Sequence, residues 1–250
     1  MRKLVGFIAL LALCPLAHAQ WNIFAEKLPA PGSWATYEIA RTDASPPEKP
    51  ATIRLSVQPA GDVKGKLHVW LTIEPVAWLG SREKGPLRFL VPADINRDGA
   101  NRLLYIAAEI LFVDPAKGPW HMLPDDVSSL ARTAGYETTS TVTPESNTAE
   151  KIKTAKASFD CLRYKMSATT IVDPPFVKKQ IITLNGHVWR NEEIPFGVVQ
   201  AEWIETTIKG SKTRSEEKLL MLKDYGHEEV ATKPTDHGER FSIFRLLFNR

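Results

Sequence analysis

The chain has 250 residues, 43% of them hydrophobic and 24% charged, with 32 basic against 29 acidic side chains and a formal net charge of +3. So small a charge excludes a general nucleic-acid binder, which needs a concentrated basic surface. After the N-terminal run described next, no apolar run approaches the length of a transmembrane helix, so a soluble or at most peripheral protein is expected.

Residues 1–19 read as a secretory signal. Arg2 and Lys3 open it, residues 4–13 are uncharged and apolar, and Ala17-His18-Ala19 puts small residues at the two positions a signal peptidase reads. The run is too short to stay in a bilayer. The mature chain is therefore expected to start at Gln20, in the periplasm. A lipoprotein cut before Cys14 is the rival, but it needs a small residue where Leu13 stands. Cleavage leaves 231 of the 250 residues, and the loss of Arg2 and Lys3 takes the charge from +3 to +1. That length suits one β-rich domain over residues 20–235, followed by an apolar-basic tail over 236–250. Cys161 is then the only thiol, and no intrachain disulfide can form. It sits in Phe159-Asp160-Cys161-Leu162, an apolar strand-like setting that favours a small buried hydrophobe over a reactive thiol.

The mature chain is dominated by period-two alternation. Residues 34–39 form a first strand, opened by Pro29, Pro31 and Gly32. Ile53, Leu55 and Val57 alternate with polar neighbours, and so do Leu67, Val69, Leu71 and Ile73. The turn-rich residues 59–65 between them predict a β-hairpin with one buried face. Residues 87–91 are a short strand closed by Pro92. Residues 103–113 fit either helix or strand, and are read as an extended segment after a helical start. Residues 124–130 read as a short helix with acids in its first turn. Residues 138–148 are a polar loop. Strands follow at 150–154, 159–168, 177–189, 198–209 and 218–225, with Asn185-Gly186 as a tight turn or bulge. Residues 232–238 are a polar linker. Many strands and few helices in one exported domain predict a mainly β fold, a sandwich or a curved, barrel-like sheet.

Phe159-x-Cys161, followed by Val188-Trp189-x-x-Glu192-x-Ile194-Pro195-x-Gly197-Val198-Val199, resembles a stretch found in many uncharacterised exported bacterial proteins. Gly65, Val69-Trp70 and Glu74 loosely resemble an earlier strand of the same families, while Ala157-Ser158 stands where they commonly carry Gly-Thr. These families are similar to the periplasmic lipoprotein-carrier (Lol-like) superfamily. The resemblance implies a curved antiparallel sheet forming an incomplete β-barrel, with one or two short helices closing one side. It also implies a hydrophobic cavity for acyl chains or an apolar partner. Within the motif Pro195 ends one strand, Gly197 permits a sharp turn, and Val198-Val199 starts the next.

Inward positions expected to line such a cavity are Leu55, Val69, Leu71, Phe89 and Trp189. For Trp189 and Trp203 core packing competes with ligand stacking. Asp94-Ile95-Asn96-Arg97-Asp98-Gly99 matches the start of a calcium loop, with Asp94, Asn96 and Asp98 as ligands. The twelfth position is Tyr105 rather than an acid; Glu109 could substitute on a helix, and a polar surface turn is the alternative. No other cofactor is expected. His68, His121, His187, His227 and His237 form no metal motif, though His68 and His187 could meet carboxylates across strands. There is no Gly-x-Ser-x-Gly elbow and no phosphate-binding glycine loop. In the tail, Phe241, Phe244 and Leu247 or Phe248 recur at helical spacing between arginines. They either touch an anionic membrane surface or partner, or cover an open edge of the sheet.

The leading expectation is a periplasmic protein that binds a lipid, lipoprotein or other apolar small molecule. The alternative is an interaction module of the cell envelope with a packed core, docking an envelope protein. An enzyme ranks third, since no catalytic motif is found. An empty apolar cavity separates the first two readings.

Overall fold

The computed structural model describes residues 24, 27–77, 84–115, 118–133, 135–175, 178–229 and 236–241. The signal segment and residues 242–250 of the tail lie outside the described residues, as do the side chains of Ala77, Leu104 and Leu130.

The first strand, β1 (Ser33–Arg41), shows how the sheet is written into the sequence. Ala35, Tyr37 and Ile39 are buried while Thr36, Glu38 and Ala40 are only partly so, as period two demands of a strand with one face on a core. β2 (Ala51–Val63) pairs antiparallel with β1, and β3 (Lys66–Ala77) with β2. The hairpin between them turns on two residues only, Lys64 at φ 52° and Gly65 at φ 78°. Residues 59–63, expected as part of the turn, instead prolong β2 past a register shift between Pro59 and Gly61. A bulge absorbs the extra residue and lets the ladder run on.

β4 (Lys84–Pro92), β5 (Glu109–Asp114) and β6 (Gly118–Met122) extend the sheet outward on this side. On the other side β12 (Lys212–His227) pairs with β1. It is followed in turn by β11 (Val198–Lys209), β10 (Gln180–Arg190), β9 (Ser158–Val172) and β7 (Tyr136–Pro144), with β8 (Glu150–Lys153) paired to the first four residues of β9. A last short strand, β13 (Glu239–Arg240), adds to β6 in parallel; among the described residues every other pairing is antiparallel. The result is one large curved sheet, not closed into a barrel, which agrees with the expected fold class.

Three helical segments lie between β4 and β7: α1 (Arg97–Asn101), α2 (Leu103–Ile106) and α3 (Pro124–Thr133). They lace the outer edge of β7. Arg97 donates to the Val142 carbonyl at 3.0 Å, Tyr105 to the Tyr136 carbonyl at 3.0 Å, and Ser140 to Asn101 Oδ1 at 2.8 Å. An edge strand with satisfied carbonyls is a poor template for unwanted pairing. Val127 and Ala131 of α3 join the sheet's inward residues in one continuous core.

Several expectations need correction. Residues 136–144 are a strand, not a loop. Glu137, Thr139, Thr141 and Thr143 face water while Tyr136 and Val142 are buried, so the strand carries too few apolar residues for its period to show. Asn185-Gly186 is neither turn nor bulge, since both lie in unbroken register with β9 and β11. A Cβ on Gly186 would stand 2.0 Å from the Glu202 carbonyl oxygen, so this glycine permits a close backbone approach. β3 is buried on both faces: His68, Trp70 and Thr72 are 5–6% exposed, while Leu67, expected inside, is 62% exposed. Trp70, Leu90 and Leu111 form a second, outer cluster.

Candidate ligand-binding cleft

The two ends of the concave face differ. At one, charged inward side chains replace apolar ones. Glu205 is 4% exposed and accepts from Lys218 Nζ at 2.8 Å, and Lys218 also reaches Glu216 at 3.3 Å. Buried charges persist only when paired. At the other end, where β10 passes into β11, a cleft of about 790 Å³ opens.

That cleft is built from three segments. The entering residues 27–31 supply Lys27 and Leu28, the start of β3 supplies Leu67 and Val69, and the connection from β10 to β11 supplies Arg190, Glu192, Ile194 and Phe196. The connection is tightly held. Asn191 N donates to the Gly197 carbonyl at 3.1 Å, its Oδ1 accepts from Glu193 N at 2.9 Å, and its Nδ2 donates to the Asp160 carbonyl at 3.0 Å. Tyr37 reaches the Pro195 carbonyl at 3.4 Å from the core side. Phe196 takes φ 65° with its ring 4% exposed. A left-handed conformation for a bulky residue costs about 1–3 kcal/mol and persists where the surroundings impose it.

Arg190 is the partly buried cation of this cleft. The β10–β11 ladder shifts register between Trp189 and Arg190, the kind of irregularity that re-aims a side chain. Its guanidinium lies 5.7 Å from the Tyr164 ring. Burial, and then the nearby charge of Arg97, push it down to about 10, against the pull of Tyr164 and Tyr37. Arg97 is also lowered, by burial, with Asp98 opposing. Burial raises the Tyr37 phenol well above its ordinary value. The cleft thus combines apolar walls with a positive charge kept partly from water.

Of the residues expected to line a cavity, Val69 borders the cleft. Leu55, Leu71 and Phe89 are 0%, 5% and 2% exposed and belong to the packed core. Trp189 faces the other side of β10, beside Arg163 of β9; its Nε1 donates to Glu150 at 2.8 Å and its ring lies 6.2 Å from His187. Arg190 and Phe196 were missed. Period two offered a signal for Arg190, because Val188 inward and Trp189 outward put residue 190 inward again. Phe196 gave none, since an unnamed position in a turn motif says nothing about its backbone.

In the calcium-like loop, Asn96 caps α1 and its Oδ1 accepts from Gly99 N at 3.0 Å. Tyr105 is tied to the Tyr136 carbonyl, and Glu109 lies on a strand, its Oε1 2.6 Å from His237 Nδ1. Among the described residues no three His, Cys, Asp or Glu side chains gather as a metal group would. His187 does meet carboxylates on the outer face, Glu145 at 3.2 Å and Glu202 at 3.7 Å. His68 instead places Nδ1 2.8 Å from the Lys66 carbonyl. Cys161 is fully buried, with Sγ 3.6 Å from the Phe159 carbonyl. Burial, then Asp160 and Glu150, raise its thiol to about 11.

The described start of the tail lies against the sheet. Phe241 is 5% exposed with its ring 6.1 Å from Trp120, and Arg240 donates twice to Asp126, at 3.0 and 3.1 Å.

No family profile and no curated protein matches the chain in sequence. Among solved structures it is similar to a protein from Bacteroides fragilis NCTC 9343, described as exported and as having a YmcC-like fold. The two are 13% identical with a TM-score of 0.36, over 81% of this chain and 99% of that one.

Proposed function

We propose that this is an exported periplasmic protein that holds an apolar molecule, such as a lipid or the acyl chain of a lipoprotein, in the cleft between β3 and the β10–β11 connection. The cleft carries the reading. Its volume of about 790 Å³ is in the range of small-molecule sites, which are mostly apolar with a few placed polar groups. Leu28, Val69, Ile194 and Phe196 supply the apolar wall, and Leu67 adds a side chain left 62% exposed at the border. Export rests on the signal pattern of residues 1–19.

Native mass spectrometry on the chain purified from its own host tests this. An adduct of lipid mass, lost on organic extraction, is the expected result. A bare protein mass together with no uptake of an added fluorescent fatty acid would overturn it. One observation favours the alternative of a packed envelope module. Leu55, Leu71 and Phe89, three of the positions expected to line a cavity, are packed in the core instead.

A further inference from the structure

On the outer face of the sheet, two histidines far apart in the chain are brought together. His121 stands on β6 directly opposite Leu111 of the outer cluster. His237 lies two residues before β13, the strand that joins β6 in parallel. Their ring centres are 6.1 Å apart, with the planes at 84°. The backbones press closely here. Gly238 takes φ 58°, and a Cβ on it would stand 1.9 Å from the Pro119 carbonyl oxygen, so the approach requires glycine.

One nitrogen of each ring is already committed. His121 Nδ1 lies 2.9 Å from the His237 carbonyl, which can only accept, so this nitrogen carries the proton. His237 Nδ1 lies 2.6 Å from Oε1 of Glu109, a carboxylate 7% exposed. An ionised carboxylate also only accepts, so His237 donates through Nδ1. Each neutral imidazole therefore keeps its lone pair on Nε2. Metal-binding histidines are oriented in this way, the other ring nitrogen donating to a carboxylate or a backbone carbonyl. The spacing agrees. With each Nε2 about 2.1 Å from a shared ion, the ring centres lie between about 5 Å, for a tetrahedral angle, and about 6.4 Å, for a linear one. His237 is exposed and His121 half-buried, so an ion can enter from solvent. His187 lacks the arrangement, because its two nitrogens both face carboxylates, Glu145 and Glu202.

We propose that His121 and His237 bind one divalent transition-metal ion, Zn2+ or Cu2+, through Nε2, with water completing the coordination and Glu109 as the positioning residue of His237. Imidazole suits these ions, whereas Mg2+ and Ca2+ take oxygen ligands. With one ligand on β6 and the other just before β13, the ion ties residues 236–241 to the sheet.

Calorimetric titration of the untagged exported form with ZnCl2 tests the proposal. One Zn2+ per chain is expected, and no binding at this site from MgCl2 or CaCl2. His121→Ala and His237→Ala should each weaken Zn2+ binding by about tenfold or more, and Glu109→Gln by about tenfold, the low end for loss of a ligand's partner. His187→Ala should leave the affinity unchanged. Electron paramagnetic resonance of the Cu2+ form of the unaltered chain counts the coordinated imidazoles, so the proposal can be tested even where a variant fails to fold. Two imidazoles are expected. No Zn2+ binding, Zn2+ binding unaltered by both histidine substitutions, or fewer than two imidazoles on Cu2+ would each overturn the proposal.

Discussion

The two arms of the sheet use the same pairing and solve different problems. In β10 to β12 and the second half of β9 one face is buried and the other mostly meets water, Trp189 excepted. Thr139, Thr169, Thr183, Thr206 and Ser215 stand in register as a file of hydroxyls across five strands. In β3 to β5 both faces are buried, with Trp70, Leu90 and Leu111 on the outside and the His237 ring 6.4 Å from that of Trp70. A strand with one buried face alternates, whereas a strand with two does not. The first arm can therefore be read from period two, and the second misleads the reader.

Substitutions can break or sharpen that contrast. The largest loss is expected from Leu111→Ala, on the outer face of β5 and 1% exposed. About 2–5 kcal/mol should disappear from the unfolding free energy in urea, and a loss below about 1 kcal/mol would mean that this face is not a core. Phe241→Ala should cost about 1.5–3 kcal/mol by the same measurement, because its ring is buried against Trp120. An unchanged midpoint would show the tail to be undocked in solution. In the other arm, Gly186→Ala drives a methyl group into the Glu202 carbonyl, and about 1–3 kcal/mol should be lost. Thr183→Ala, on the water-facing side of the same strand, should stay within about 0.5 kcal/mol. A larger effect would mean that the hydroxyl file matters to the fold.

The effect of Cys161 is absent at neutral pH and shows only in alkali. Its folded thiol titrates near 11 against an ordinary 9.0, so the folded state keeps its proton longer than the unfolded one. This contribution is fully present below pH 9 and is lost as pH rises towards 11. Unfolding midpoints should fall across that window, and Cys161→Ala should flatten the fall. Iodoacetamide at neutral pH should label the native chain far more slowly than the denatured one.

Much of the sheet was legible. The strands at 33–41 and 198–209 follow directly from alternation, and the helical start before β5 and the acid-led helix at 124 from their composition. β7 was not legible, because a threonine-rich strand whose apolar residues are sparse looks like a polar loop until its partner β9 is known. The candidate site was legible only at its border. Val69 was reached from its inward parity, and the Ile194-Pro195-x-Gly197 turn from its residue types. Arg190 was passed over because a charge on an inward position contradicts the pattern that found the strand.

The sequence by itself determined the predominance of β structure, the secretory pattern, and the burial of Cys161, because these depend on local periodicity and residue chemistry. Only the tertiary structure decided which strands have two buried faces, where residues 236–241 dock, and that a cleft opens where β10 passes into β11. Those outcomes depend on contacts between residues far apart in the chain. Tyr37 against Pro195, Arg97 against Val142 and His237 against Glu109 leave no trace in local pattern, since each partner alone is compatible with many surroundings.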